Sequence, residues 1–173
     1  MADNRVRLYW DTSCFLCFLN PDEGQRRSVC ETLLRGARDG QFLILTSTFT
    51  ISEVVYLKRS SLPNPRRLTP QEADRISAMF RWPWLKKVDV DQRVAFKAVE
   101  LSRDFDLLPS DAVQAASAIL NEVSALHRWD RDFNRIAHLV AVEDPNLLNM
   151  QGTFGLGMFP RIGPAPEDFV QRQ

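Results

Sequence analysis

The sequence contains no apolar run near the roughly 18 residues that a bilayer span requires, which argues against a transmembrane helix. No basic segment followed by an apolar core opens the chain, so it reads as cytoplasmic, with no membrane association. It has no excess of either charge: Lys+Arg 22 balance Asp+Glu 22 over 173 residues. Such a chain exerts no global pull on polyanions, and a nucleic-acid partner must be met by a local basic patch. Cysteine and histidine are scarce. Cys14, Cys17 and Cys30 are too few, and odd in number, for a disulfide framework. With only His127 and His138 beside them, they make a poor zinc set. Cys14-Phe-Leu-Cys17 has redox spacing, yet the apolar residues between the thiols favour buried, reduced cysteines. Gly-rich phosphate loops, Ser-His-Asp sets, Cys-His sets, repeats and low-complexity tracts are all missing.

What is present is an ordinary globular composition, 45% hydrophobic and 25% charged, enough for one domain with a full core. The opening run Arg5 to Trp10 alternates as a strand, with Val6, Leu8 and Trp10 on one face, and ends at Asp11. Thr12 and Ser13 are cap-type residues ahead of an apolar helix start. Residues 22–39 read as a helix stopped by Gly40, and Phe42 to Leu45 as a buried strand. Thr46 to Arg59 reads as a helix whose inward face carries Phe49, Glu53, Tyr56 and Leu57. Thr69-Pro-Gln-Glu72 is a capping box opening a helix to about Phe80. Leu85 to Val90 reads as a strand, and Asp91 as the cap of a helix to about Phe105. Asp111 falls in the first turn of an Ala-rich helix. Val123 to Trp129 is a strand candidate ending at Asp130, and Leu139 to Val142 a last short strand.

Each acid alone has a structural explanation. Asp111 complements a helix dipole, Asp130 suits an N-cap with Asp132 behind it, and Glu53 reaches water from the edge of a stripe. Together they suggest more. In a parallel sheet, strand ends and the helix starts that follow them gather along one edge, where ligands bind. Asp11, Glu53, Asp111 and Asp130 gathered there could not all ionise without a compensating cation. Oxygen ligands at that density suit Mg²⁺ or Mn²⁺, which activates water for an in-line phosphoryl displacement.

At these residues the chain resembles the PIN domain, and within it the VapC-like bacterial ribonucleases, toxins of toxin–antitoxin pairs. The resemblance spans roughly residues 5–142. It rests on Tyr9-Trp-Asp11-Thr-Ser13, Ile51-Ser-Glu53-Val, Leu108-Pro-Ser-Asp111-Ala-Val-Gln-Ala-Ala and Trp129-Asp130-Arg-Asp132-Phe. It implies an α/β fold of three layers, α/β/α, with a central, mostly parallel sheet. It also implies Mg²⁺- or Mn²⁺-dependent hydrolysis of RNA phosphodiesters, leaving a 5′-phosphate and a 3′-hydroxyl. By position, Asp11, Glu53, Asp111 and Asp130 are the catalytic acids; Asp11, Asp111 and Asp130 hold the metal; Ser13 and Asp132 support them. An antitoxin protein and a homodimer are the implied partners.

The chain departs from the family at Arg128, where members often carry Thr two places before the fourth acid, and Arg128 is expected to contact the scissile phosphate. Lys58, Arg59, Arg66 and Arg67 form a basic loop segment without acids, a further candidate RNA contact. Residues 1–143 are expected to form the nuclease domain, and the Gly- and Pro-containing tail 144–173 to pack on it or on a partner. Two rival readings remain open at this point: a catalytically inactive PIN-like module that binds RNA or protein, and a thiol oxidoreductase using Cys14 and Cys17.

Overall fold

In a computed structural model of the chain, residues 4–54, 56–57 and 66–146 are described. Strand β1 (Arg7–Trp10) leads into α1 (Thr12–Leu19), and a 3-10 turn at Pro21–Glu23 leads to α2 (Gln25–Arg38). Strand β2 (Leu43–Ser47) precedes the short α3 (Thr48–Glu53). Two-residue strands β3 (Tyr56–Leu57) and β4 (Arg66–Arg67) pair antiparallel. Then come α4 (Pro70–Phe80), β5 (Leu85–Val88), α5 (Gln92–Phe105), α6 (Pro109–Leu120), β6 (Ala125–His127) and β7 (Val142–Glu143).

The main sheet has five strands in the order β5-β2-β1-β6-β7, and every pairing in it is parallel. Strand order reverses at β1, whose chain neighbour β2 lies on one side and late-arriving β6 on the other. In open α/β sheets this switch point opens a crevice at the strand carboxyl ends. Here that crevice begins at Asp11.

Alternation along the strands divides the core into two layers. Leu8, Trp10 and Ile44 pack with residues of α1, α2 and α4, whereas Tyr9, Leu43 and Leu45 pack with α5 and α6. Close approach is built in at Gly36 of α2, where a Cβ would stand 2.8 Å from the Phe42 ring. Gly40, at φ +79°, stops α2 as its position foretold. The box at Thr69 forms in full, with Glu72 closing it, and Asp91 caps α5 by accepting from the Val94 amide at 2.9 Å.

Some expectations need correction. The helix read through Arg59 ends at Glu53, and Tyr56–Leu57 is strand; an aromatic residue such as Tyr56 suits an extended chain better than a helix. The strand read to Trp129 stops at His127, so Asp130 lies beyond the sheet rather than at a strand end. A 3-10 turn at Asp132–Ile136 follows and continues as turns, Leu139 N–H donating to the Ile136 carbonyl, which moves the last strand to Val142–Glu143. Of the basic loop, Lys58 and Arg59 lie outside the described residues, as does the tail from residue 147. Among the described residues no helix is long and apolar enough to cross a membrane.

Candidate functional site

Asp11 caps α1 directly, a role the sequence suggested for Thr12 and Ser13. Its Oδ1 accepts from the Cys14 amide at 3.2 Å and from the Ser13 hydroxyl at 2.6 Å. Ser13 Oγ in turn accepts the Trp129 amide at 2.9 Å, and the Asp11 amide donates to the His127 carbonyl at 3.3 Å. The end of β1 is thereby tied to the segment that carries Asp130. Asp11 is 5% exposed. Burial pushes its carboxyl up to about 6, against the pull of the Ser13 and Cys14 hydrogen bonds, and the charge of Asp111 adds to the rise.

Asp111 sits half-buried in the first turn of α6. A helix N-terminus ordinarily favours an ionised carboxyl. Here burial wins, assisted by the charges of Asp130, Asp132 and Glu53, and the carboxyl rises to about 6. Those three acids arrive from different elements. Glu53 is the last residue of α3; Asp130 is exposed beyond β6 and accepts the Asp132 amide at 3.1 Å. The fold thus brings Asp11, Glu53, Asp130 and Asp132 each within electrostatic reach of Asp111. They form a like-charged group rather than a closed coordination shell: among the described residues, no three acidic, histidine or cysteine side chains are drawn tightly enough to hold a metal ion. The donor chemistry nonetheless fits a hard divalent cation. All donors are carboxylate oxygens, and the carboxyls of Asp11 and Asp111 are held upward in a way that a cation would relieve.

Arg128 is placed differently from expectation. It is 8% exposed, its Nη1 pairs with Asp144, and its Nη2 donates to Asn134 Oδ1 at 2.6 Å. This guanidinium ties the turn after β6 to the chain leaving β7. Of Arg66 and Arg67, only the backbone pairing in β4 is described.

Sequence reading missed a buried polar network behind the acids. Gln114 of α6 is 2% exposed. Its Nε2 donates to Glu53 Oε2 at 2.6 Å and lies 3.1 Å from Thr12 Oγ1 and 3.0 Å from Thr50 Oγ1. Tyr9 Oη donates to Gln114 Oε1 at 2.6 Å, and Thr12 Oγ1 donates to the same Glu53 oxygen. The available signal was an amide three residues after Asp111, hence on its face, inside an otherwise apolar run.

The remaining nucleophiles are withdrawn. All three cysteines are free and buried, and burial pushes the Cys14 thiol up. His127, 1% exposed, is driven down to about 4 by burial and stays neutral near pH 7.

A family model for the PIN domain matches residues 8–139. Among solved structures, the chain is similar to a toxin–antitoxin complex from Klebsiella pneumoniae (16% identity, TM-score 0.55, covering 80% of this chain and 98% of that one). It is also similar to the Mycobacterium tuberculosis VapC20 toxin, described as cleaving the sarcin-ricin loop (19% identity, TM-score 0.57, 73% and 92% covered). VapBC2 from Rickettsia felis, bound to a promoter DNA fragment, gives 16% identity and a TM-score of 0.57, with 80% and 98% covered. At these identities the likeness is one of fold. No curated protein is close enough in sequence to count as a relative.

Proposed function

The chain belongs to the PIN domain family, and from that premise we propose that it is a Mg²⁺- or Mn²⁺-dependent endoribonuclease, a VapC-like toxin held in check by an antitoxin protein. The observation that carries this reading is the crowding of Asp11, Glu53, Asp130 and Asp132 on Asp111 at the switch point of the sheet, with two carboxyls raised to about 6. Asp11, Asp111 and Asp130 would hold the cation. When bound, it supplies charge neutralisation and lowers the pKa of a water.

The chain's own residues do the rest. Ser13 fixes the Asp11 carboxylate and ties it to the Trp129 backbone. Glu53, anchored through Oε2 by Gln114 and Thr12, is left to accept the proton of the attacking water. Asp132 acts through its amide, which orients Asp130. Water oxygen bonds to phosphorus as the bond to the 3′ oxygen breaks; that oxygen leaves as an alkoxide and takes a proton from solvent water, giving a 5′-phosphate and a 3′-hydroxyl. Buried cysteines and a neutral, enclosed His127 favour this direct displacement over a covalent intermediate, and the same burial counts against a thiol oxidoreductase. Candidate RNA contacts remain Lys58, Arg59, Arg66 and Arg67. A homodimer and a cytoplasmic location belong to the same proposal, supported by the fold shared with toxin–antitoxin proteins.

The test is incubation with structured RNAs and Mn²⁺ or Mg²⁺, beside Asp11→Ala. Cleavage that disappears in the variant and on chelation supports the reading; cleavage indifferent to both overturns it. Growth arrest on induction, reversed by co-expression of a small neighbouring gene, tests the toxin assignment. A second reading, a PIN-like module without chemistry, is favoured by the lack, among the described residues, of three side chains drawn together tightly enough to hold a metal ion. It predicts no saturable thermal stabilisation by Mn²⁺.

A further inference from the structure

Three of the elements that carry the acids meet at one neutral side chain. Asp11 caps α1, whose first residue is Thr12, Glu53 ends α3, and Asp111 lies on α6 three residues before Gln114. The Gln114 carboxamide touches each of the other two elements: Glu53 Oε2 at 2.6 Å, Thr12 Oγ1 at 3.1 Å, and Thr50 Oγ1 of α3 at 3.0 Å. Its orientation is imposed from behind. The buried Tyr9 phenol stands on that side. It donates to Gln114 Oε1 at 2.6 Å, and the amide nitrogen is left facing Glu53. Thr46 completes the frame: its Oγ1 lies 2.9 Å from Thr50 Oγ1 and 2.9 Å from the Trp10 carbonyl at the end of β1. A buried amide satisfied on both of its ends specifies one geometry for everything it binds.

We propose that Gln114, oriented by Tyr9, is a positioning residue that fixes the Glu53 carboxylate relative to Asp11 and Asp111. Glu53 needs such a fixture. It ends a helix of only six residues, and its side chain has rotatable bonds that an isolated terminal turn does not restrain. Gln114 and the Thr12 hydroxyl both engage Oε2, so the carboxylate is held by one oxygen while neither contact uses Oε1. A neutral amide is the chemistry required there. A lysine or arginine would cancel the negative charge that the cluster needs for a cation, and a carboxylate would add a further like charge within the same pocket.

The catalytic consequence rests on the nuclease reading above; the positioning itself does not. The variant is Gln114→Met, which keeps volume and removes both hydrogen-bonding ends. With the folded variant shown by circular dichroism, RNA cleavage is expected to lose kcat by about 10- to 100-fold with KM within about twofold, and the Mn²⁺ half-saturation point to rise several-fold. Carbon NMR of the Glu53 carboxyl is expected to change from one sharp signal to an averaged or multiple one. Unchanged kcat, unchanged half-saturation and an unchanged Glu53 signal would overturn the proposal. Where Gln114→Met does not fold, Tyr9→Phe replaces it: it removes the hydroxyl that orients the amide and should give the same pattern in weaker form. A wild-type protein that cleaves nothing removes the nuclease reading alone, and the Glu53 signal then decides the positioning.

Discussion

Arg128 Nη2 lies 2.6 Å from Asn134 Oδ1, across the turn that follows β6. The same guanidinium reaches Asp144 with its other terminal nitrogen, so a side chain adjacent to the acidic site is committed to holding backbone segments together. Arg128→Met should therefore cost stability, about 1–3 kcal/mol for charge-assisted bonds made by a buried donor, and leave the KM for RNA unchanged. Melting and steady-state cleavage separate the two. A raised KM with an unaltered melting temperature would return Arg128 to the substrate.

Ser13 donates to Asp11 and receives the Trp129 amide. Its bond to the carboxylate favours the ionised form, so removing it pushes the Asp11 carboxyl above its already raised value of about 6. Ser13→Ala should shift the acid limb of the rate–pH profile to higher pH, and Ser13→Thr should restore it. A profile that falls in height without moving would show that the hydroxyl only supports the fold.

How much of this was legible beforehand depended on the range of the interaction. Asp11 and Asp111 stood out because local pattern places one at a strand end and the other in a helix's first turn; the box at Thr69 and the cap at Asp91 were equally local. Gln114 was passed over because its partners, Tyr9, Thr12, Thr50 and Glu53, lie between 61 and 105 residues away in sequence. The partners of Arg128 were hidden for the same reason, since Asn134 and Asp144 had first to be folded back onto it. The helix through Arg59 failed differently: its apolar spacing was helical, but the pairing of Tyr56–Leu57 with Arg66–Arg67 outweighed local periodicity.

The two raised carboxyls set the pH dependence of the metal-free protein. Folded Asp11 and Asp111 titrate near 6, against 3.8 for the ordinary group. Between these values the native state binds more protons than the unfolded chain, so stability falls as pH rises from about 4 to about 7. Asp11 alone accounts for a loss on the order of 3 kcal/mol. A divalent cation competes with those protons, and its stabilising effect should grow between about pH 5 and about pH 7.5. Thermal melts with and without Mn²⁺ check both slopes, which are opposite in sign.

The same crowding makes Asp111 a residue at which function and stability oppose each other. Asp111→Asn keeps the shape of the first turn of α6, forfeits a favourable dipole interaction of about 0.3–1 kcal/mol, and removes the repulsion from Asp130, Asp132 and Glu53. Because the carboxyl is raised to about 6 despite that dipole, repulsion and burial together exceed it. The metal-free variant should therefore melt higher than wild type at about pH 7.5, by about 2–4 °C if the net relief is about 1 kcal/mol in a chain of this size. At about pH 4.5 wild-type Asp111 is itself protonated, and the advantage should vanish. Cleavage should be lost at both. A variant that melts lower at neutral pH would mean that Asp111 stabilises the helix more than the acid cluster destabilises it, and the convergence of charges on this residue would lose its energetic meaning.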